Sequence, residues 1–512
     1  MLRKISAGLL VLAIGFVAPL GANAASDPEK ELTLQSKDAR QATAALNTAI
    51  AARSGKETGR DTSLAMADLF LRYDSLSASE KKQADALLAR PTDGVRDPLG
   101  DGYTVRATKV CGPHVCVHYV KSTNDAPSST DNDGNGHFDW AEYSLKVMES
   151  VWRKEVGQLK YRAPASDRGK GGNNKFDVYL SDVGNDGLYG YCTTEKAVPG
   201  HRFRASGYCV LDEDFVEFEP QPRAASLKVT AAHEFFHAVQ YNYDAAEDRW
   251  AMEATATWME ERYADSVNDN RQYLGYGHMR RNDIPLDKFA RQSLTPYGNW
   301  IFFEAISAKY GTGAVRQIWN KLDSTRPSQD RYSIQGVKAF LATKKMKLPR
   351  FYAAFGAANI VPEKVYSEGS AYPAAKIAKT YTLTRSKPGA SGRLTLNHLT
   401  NRNYSFVPTT GFSGKRKLRI IVNAPNKNTG SAAWVLVHLR NGKVISKEVR
   451  LNNRGWGKVL ASYTNSNVAR VTLTLANAST SYRCWKNTGY ACQGTPLGNG
   501  KVFKFNVRNV QG

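Results

Sequence analysis

His233-Glu234-Phe235-Phe236-His237-Ala238-Val239-Gln240, followed by Trp250-Ala251-Met252-Glu253-Ala254-Thr255-Ala256-Thr257-Trp258-Met259-Glu260, decides how the chain is read. Both strings carry apolar residues at helical spacing, so the sequence predicts helices over 224–243 and 250–263. On a helix, positions i and i+4 lie one above the other. His233 and His237 therefore face the same point and can share one zinc ion. Glu234, beside the first of them, stands where a carboxylate can take a proton from a zinc-acidified water.

A third ligand follows from helix rise. If the first helix ends near Tyr243 and the second begins near Asp248, the six residues after His237 climb about 9 Å, and the chain has to come back. Glu253 descends about 7.5 Å and arrives level with the histidines. Glu260 and Glu261 overshoot by roughly two turns, and Glu247 falls in the turn itself. The expected zinc ligands are His233, His237 and Glu253, with Glu234 as general base.

These two strings resemble the active-site helix pair of secreted gluzincin-type zinc metalloproteases, the thermolysin-like clan with a His, His, Glu site. The segments 131–142 and Phe176-Asp177-Val178-Tyr179-Leu180 are similar to other parts of that catalytic domain, so the likeness spans about residues 101–365. It implies peptide-bond hydrolysis and maps the glutamate ligand of that group onto Glu253. Tyr297, in Thr295-Pro296-Tyr297-Gly298-Asn299-Trp300, resembles the tyrosine that some gluzincins aim at the oxyanion. His278 and Tyr241 are weaker candidates for that role. One position departs from the pattern. Thermolysin-like enzymes carry an Asp one turn after the ligating Glu to orient a histidine, and Thr257 stands there instead, which leaves that partner unassigned.

Upstream, Asp131-Asn132-Asp133-Gly134-Asn135-Gly136-His137-Phe138-Asp139-Trp140-Ala141-Glu142 fills a twelve-residue calcium-loop template. Asp131, Asp133, Asn135, Asp139 and Glu142 offer side-chain oxygens, and His137 offers its backbone carbonyl. The preceding residues do not read as helical. The loop is expected to be half an EF-hand, a structural Ca2+ clamp at the head of a helix over 139–156.

The remaining organisation follows from length and charge. A chain of 512 residues exceeds what one core organises. Its formal charge is +23, and residues 366–512 hold 23 Lys and Arg against only Glu368 and Glu448, so the first 365 are close to neutral. That shift coincides with a change from helical pattern to short alternating strands. Four segments are expected: a signal peptide at 1–24, a helical N-terminal segment at 25–100 that is a possible pro-region, a metalloprotease domain at 101–368, and a basic domain at 369–512. The middle unit reads as α+β and the last as an all-β sandwich.

Arg3 and Lys4, an apolar run over 9–20 and Ala22-Asn23-Ala24 read as an export leader, so a secreted, extracellular chain without a transmembrane anchor is expected. Six cysteines in an exported chain suggest three local disulfides, Cys111–Cys116, Cys192–Cys209 and Cys484–Cys492. Expected partners are a protein or peptide substrate and, for the basic domain, an anionic cell-surface polymer. Specific nucleic-acid binding is not expected of an exported chain whose middle domain is neutral, and the protein is expected to act as a monomer. The competing reading is a non-enzymatic surface-binding protein with a relic zinc site. Glu234 argues against it, because a relic has no physical reason to keep a carboxylate beside the metal.

Overall fold

A computed structural model describes residues 28–55, 61–94, 102–325, 331–410, 412 and 414–512. The export leader expected at 1–24 lies outside the described residues, as does the expected boundary near residue 100.

The N-terminal segment is helical, as expected: α1 (Pro28–Arg53), α2 (Thr62–Arg72) and α3 (Ala78–Leu88). The continuous helical pattern of 64–88 is broken by a tight turn at Tyr73–Ser75, after which α3 restarts on a capping box between Ser77 and Glu80. The three helices bury a small core of their own, with Leu46, Met66, Leu69 and Leu87 at its centre. Leu64 and Ala67 of α2 face the other way, into the main core.

The middle unit is α+β. Its strands are β1 (Thr108–Cys111), β2 (Val115–Tyr119), β3 (Phe176–Ser181), β4 (Gly190–Val198) and β5 (His201–Asp212), ordered β1-β2-β3-β5-β4. β2–β3 and β3–β5 pair in parallel and the outer pairs are antiparallel. The helices are α4 (Asp139–Trp152), α5 (Arg223–Asp244), α6 (Arg249–Tyr263), α7 (Thr295–Gly298), α8 (Trp300–Tyr310), α9 (Gly313–Trp319), α10 (Ser333–Thr343) and α11 (Leu348–Ala358). α4 runs on through a π-helical turn at Arg153–Gln158, close to the extent expected for the helix over 139–156. α5 lies along β5 and β4 and packs against α6. Trp250, Trp258, Trp300 and Trp319 are fully buried in the core these helices form.

Beyond residue 376 the chain is all strand: β6 (Ile377–Leu383), β7 (Gly389–Leu396), β8 (Thr400–Pro408), β9 (Arg416–Asn423), β10 (Ser431–Leu439), β11 (Val444–Glu448), β12 (Trp456–Ser462), β13 (Val468–Asn477), β14 (Tyr482–Arg483), β15 (Thr495–Pro496) and β16 (Lys501–Gln511). A five-stranded sheet, β11-β10-β13-β8-β6, faces a four-stranded sheet, β12-β9-β16-β7. Phe406, Val435 and Leu473 from the first meet Ile420, Phe503 and Phe505 from the second in one core. All three local disulfides are present.

The two units are not merely tethered. α11 covers the outer face of β10, β13 and β8. Buried Asp287 accepts from Tyr482 Oη at 2.7 Å and from the Ala491 N–H at 3.1 Å, and its Oδ1 lies 2.8 Å from His398 Nε2. Asp248 accepts the Cys492 N–H at 2.8 Å. Removing those partners would strand two carboxylates in the interior, so the strands beyond 376 are part of the same folded body.

Candidate metal centre

Helices α5 and α6 run antiparallel about a short turn and bring His233, His237 and Glu253 together. One ligand atom from each lies within 4.8 Å of the other two. Glu253 Oε2 stands 3.2 Å from His233 Nε2 and 3.8 Å from His237 Nε2. All three residues are buried, and Glu253 Oε1 has no hydrogen-bond partner. A buried carboxylate with one oxygen facing two imidazole nitrogens and the other unpartnered is the donor set that a tetrahedral zinc ion takes, so these residues fit the metal.

The far side of each imidazole is held. His233 Nδ1 lies 2.7 Å from Glu260 Oε1, and His237 Nδ1 lies 2.8 Å from Gln240 Oε1. Gln240 cannot turn its amide over, because Nε2 donates to Met252 O at 3.0 Å and to Thr255 Oγ1 at 3.1 Å. With both Nδ1 atoms held by acceptors, both Nε2 atoms are turned toward Glu253, where a bound metal would take their lone pairs. The partner that Thr257 failed to supply is thus Glu260, two turns beyond Glu253 on the same face of α6. That spacing of seven was legible in the sequence, as was the i+3 spacing of Gln240 from His237.

The pocket favours positive charge. Burial pushes the His233 pKa down, yet the carboxylates of Glu253, Glu260 and Glu234 outweigh it and hold the group well above the usual imidazole range. Burial raises Glu260 to about 7, against the pull of His233.

Glu234 lies beside the histidines, half-buried, and is contacted by elements far from it in sequence. Ser63 of α2 donates to Glu234 Oε2 at 2.6 Å. The Cys192 N–H, on edge strand β4, approaches the same oxygen at 3.1 Å and Ser63 Oγ at 2.9 Å. Asp61, immediately before α2, accepts the Gln292 N–H on Oδ2 at 2.7 Å, while its Oδ1 is buried without a partner. Burial, and then the nearby charge of Glu253, push the Asp61 carboxyl up to about 7. The N-terminal segment therefore reaches the metal centre through Ser63 and Asp61.

Tyr297 is beside the site, its ring stacked on His233 at 5.8 Å between centroids. Burial and the charge of Glu253 raise its phenol well above the usual range, so it remains a donor. The other two candidates are placed for packing. Tyr241 Oη lies within reach of the Ser63 and Cys192 carbonyls at 3.1 and 3.0 Å. His278 is buried away from the site, between Tyr352, Asn299 and the Leu399 carbonyl.

In the 131–142 loop, Asn135 is the hub. Its Nδ2 donates to Asp133 Oδ2 at 3.0 Å and to Glu142 Oε1 at 2.9 Å, and its N–H reaches Asp131 Oδ1 at 3.1 Å. Gly134 and Gly136 take left-handed φ of 72° and 84° to make the turn. Asp139 is turned to Asn132 N–H at 3.1 Å, and the His137 ring lies 3.3 Å from Tyr119 Oη. The residues directly before the loop are not helical and α4 begins at Asp139, as expected, but the loop's acids do not converge as a candidate metal group among the described residues.

No family model matches the chain, and no curated protein matches it. Among solved structures, it is similar over 26% of its length to a periplasmic inhibitor of g-type lysozyme from Salmonella Typhimurium, at 12% identity, 99% of that chain and a TM-score of 0.15. The same fraction matches a mutant of the Escherichia coli counterpart at 11% identity, 98% of that chain and a TM-score of 0.15. A GH115 4-O-methyl-alpha-glucuronidase matches 59% of this chain and 46% of its own at 7% identity and a TM-score of 0.14. Likenesses this slight carry no argument about function.

Proposed function

We propose that the chain is a secreted zinc-dependent endopeptidase of gluzincin type, held latent by its own N-terminal helices. The observation that carries this reading is the convergence of His233, His237 and the buried Glu253 carboxylate beside Glu234. Bound zinc would supply a Lewis acid that brings the pKa of a water toward neutrality and polarises a peptide carbonyl. Glu234 is the residue that would accept a proton from the attacking water and hand it to the leaving amine, and its raised pKa would suit both. Tyr297 donates to the oxygen on which charge develops. Glu260 and Gln240 keep both imidazoles in the ligating tautomer.

In the full chain Ser63 occupies the oxygen of Glu234 that water needs. Within the segment 25–100, expected to be a possible pro-region, α1 to α3 are accordingly read as the part whose displacement opens the site, with Arg90 held back by its buried ion pairs to Asp167, Asp177 and Glu195. The 131–142 loop is assigned a structural Ca2+. The basic strand region is assigned to attachment on anionic polymers, with Trp456 and Trp485 exposed on it while Tyr404 and Tyr482 serve packing.

The test is hydrolysis of unfolded casein by the chain before and after proteolytic release of the N-terminal helices, with zinc content measured on both. The reading expects one zinc per chain in each form, activity that appears on release, and its loss to a chelator. A released chain that holds zinc and cleaves nothing would overturn it.

A further inference from the structure

A second set of acids gathers where β5 hands over to α5, and no role in the proposed hydrolysis uses it. β3 and β5 end side by side, with Ser181 in register with Asp212. One oxygen each from Asp182, Asp212 and Glu213 lies within 4.8 Å of the others, and the same holds for Asp212, Asp214 and Glu217.

Three observations separate this group from an ordinary acidic surface. Asp212 is fully buried and Glu213 is only 8% exposed, yet Glu213 Oε2 has no hydrogen-bond partner. The Asp212 and Glu213 carboxyls also lie against each other. Among the described residues the one cation paired with any of the five is Arg223, 3.4 Å from Asp214 Oδ2 on a half-exposed side chain. Finally, the backbone makes room for the acids. A Cβ on Gly184 would stand 2.5 Å from Glu217 Oε2 and 2.6 Å from Asp212 Oδ1, so only glycine lets the two carboxylates close on that point.

Asp212 accepts the Gly184 and Phe215 N–H groups, but Glu213 keeps an orphan oxygen beside it with no basic partner, so the pair calls for a shared positive charge, a proton when the group is empty and a cation when it is filled. The donors are all oxygens, without His or Cys, which selects a hard cation over zinc. We propose that Asp182, Asp212 and Glu213 bind one calcium ion, with Asp214 and Glu217 at its rim, pinning the ends of β3 and β5 to the connector that leads into the metal-bearing helix α5. The assignment stands whether or not the chain hydrolyses peptides.

The experiment uses the full chain with the 131–142 loop silenced by Asp131→Asn and Asp133→Asn, so that calcium there cannot be mistaken for calcium here. Calorimetric titration with calcium is expected to show one remaining site with Kd at or below the extracellular range of about 10⁻³ M, and Tm is expected to rise on adding calcium. Adding Glu213→Gln removes a carboxylate ligand and leaves a neutral side chain of the same shape. That chain is expected to melt like its parent without calcium, to gain nothing from calcium, and to bind it at least tenfold more weakly. Asp182→Asn, at a less buried position, is the second variant and is expected to weaken binding to the same extent. The proposal is overturned if the loop-silenced chain binds no calcium, or if Glu213→Gln and Asp182→Asn bind it as tightly as their parent does.

Discussion

A glutamine at 260 could still accept the Nδ1 hydrogen of His233, but without the charge that makes the imidazole a stronger ligand. Glu260→Gln is therefore expected to lower zinc affinity by about 10- to 100-fold, measured by competition with a chromogenic chelator. An unchanged affinity would mean that Glu260 does not orient the ligand. Glu234→Gln separates binding from chemistry. It keeps both histidines and Glu253, so zinc content should hold, while kcat/KM of the released chain falls by about 10²–10⁴-fold. Loss of zinc along with activity would instead make Glu234 a structural residue. At this scale the sequence was most legible: the i, i+4 histidines and the helix-rise argument placed Glu253 correctly, because a helix has a fixed geometry. What it could not place was Ser63, since a contact between residues 171 positions apart is set by packing and not by local spacing.

At the scale of elements, α2 matters most. Its buried side faces edge strand β4 and the main core through Leu64 and Ala67, and Ser63 follows from that docking. Release of α1 to α3 is expected to raise hydrolysis of a protein substrate at least about tenfold, followed by casein cleavage against time. Equal rates before and after release would remove the pro-region reading and leave these helices as a supporting layer. Element patterns were readable where one face was wet and failed where both were covered. β8 shows no alternation in sequence because α11 covers its outer side, so Asn401 and Asn403 are buried and bonded to Asn282 and Thr474. The stripe of β12 is faint because two of its three inward residues, Gly457 and Ala461, are too small to register beside Val459.

For the whole molecule, the charge boundary was visible in composition but the buried bonding across it was not. His278 belongs to this junction, through Tyr352 and the Leu399 carbonyl, and burial pushes its pKa down to about 4. In the unfolded chain it titrates near about 6.5. Between those values the unfolded state takes up a proton that the folded state refuses, so the contribution is full above about pH 6.5 and is lost as pH falls toward 4. The total is about 3 kcal/mol. Urea unfolding at pH 7 and pH 4.5 should show a shallower acid loss in His278→Gln than in the parent, and equal slopes would contradict the assignment. Cutting the chain after residue 368 should likewise leave Asp287 and Asp248 without their partners and yield an insoluble or low-melting middle unit, judged by solubility and calorimetry, in place of a free catalytic domain.

The central claim is that one zinc ion sits among His233, His237 and Glu253, and an anomalous difference map collected at the zinc edge from crystals of the full chain tests it most directly. The account predicts a single strong peak within ordinary bonding distance, about 2.0–2.2 Å, of both Nε2 atoms and a Glu253 oxygen. A zinc-loaded crystal with no peak there, or with its peak at another group of residues, would contradict it.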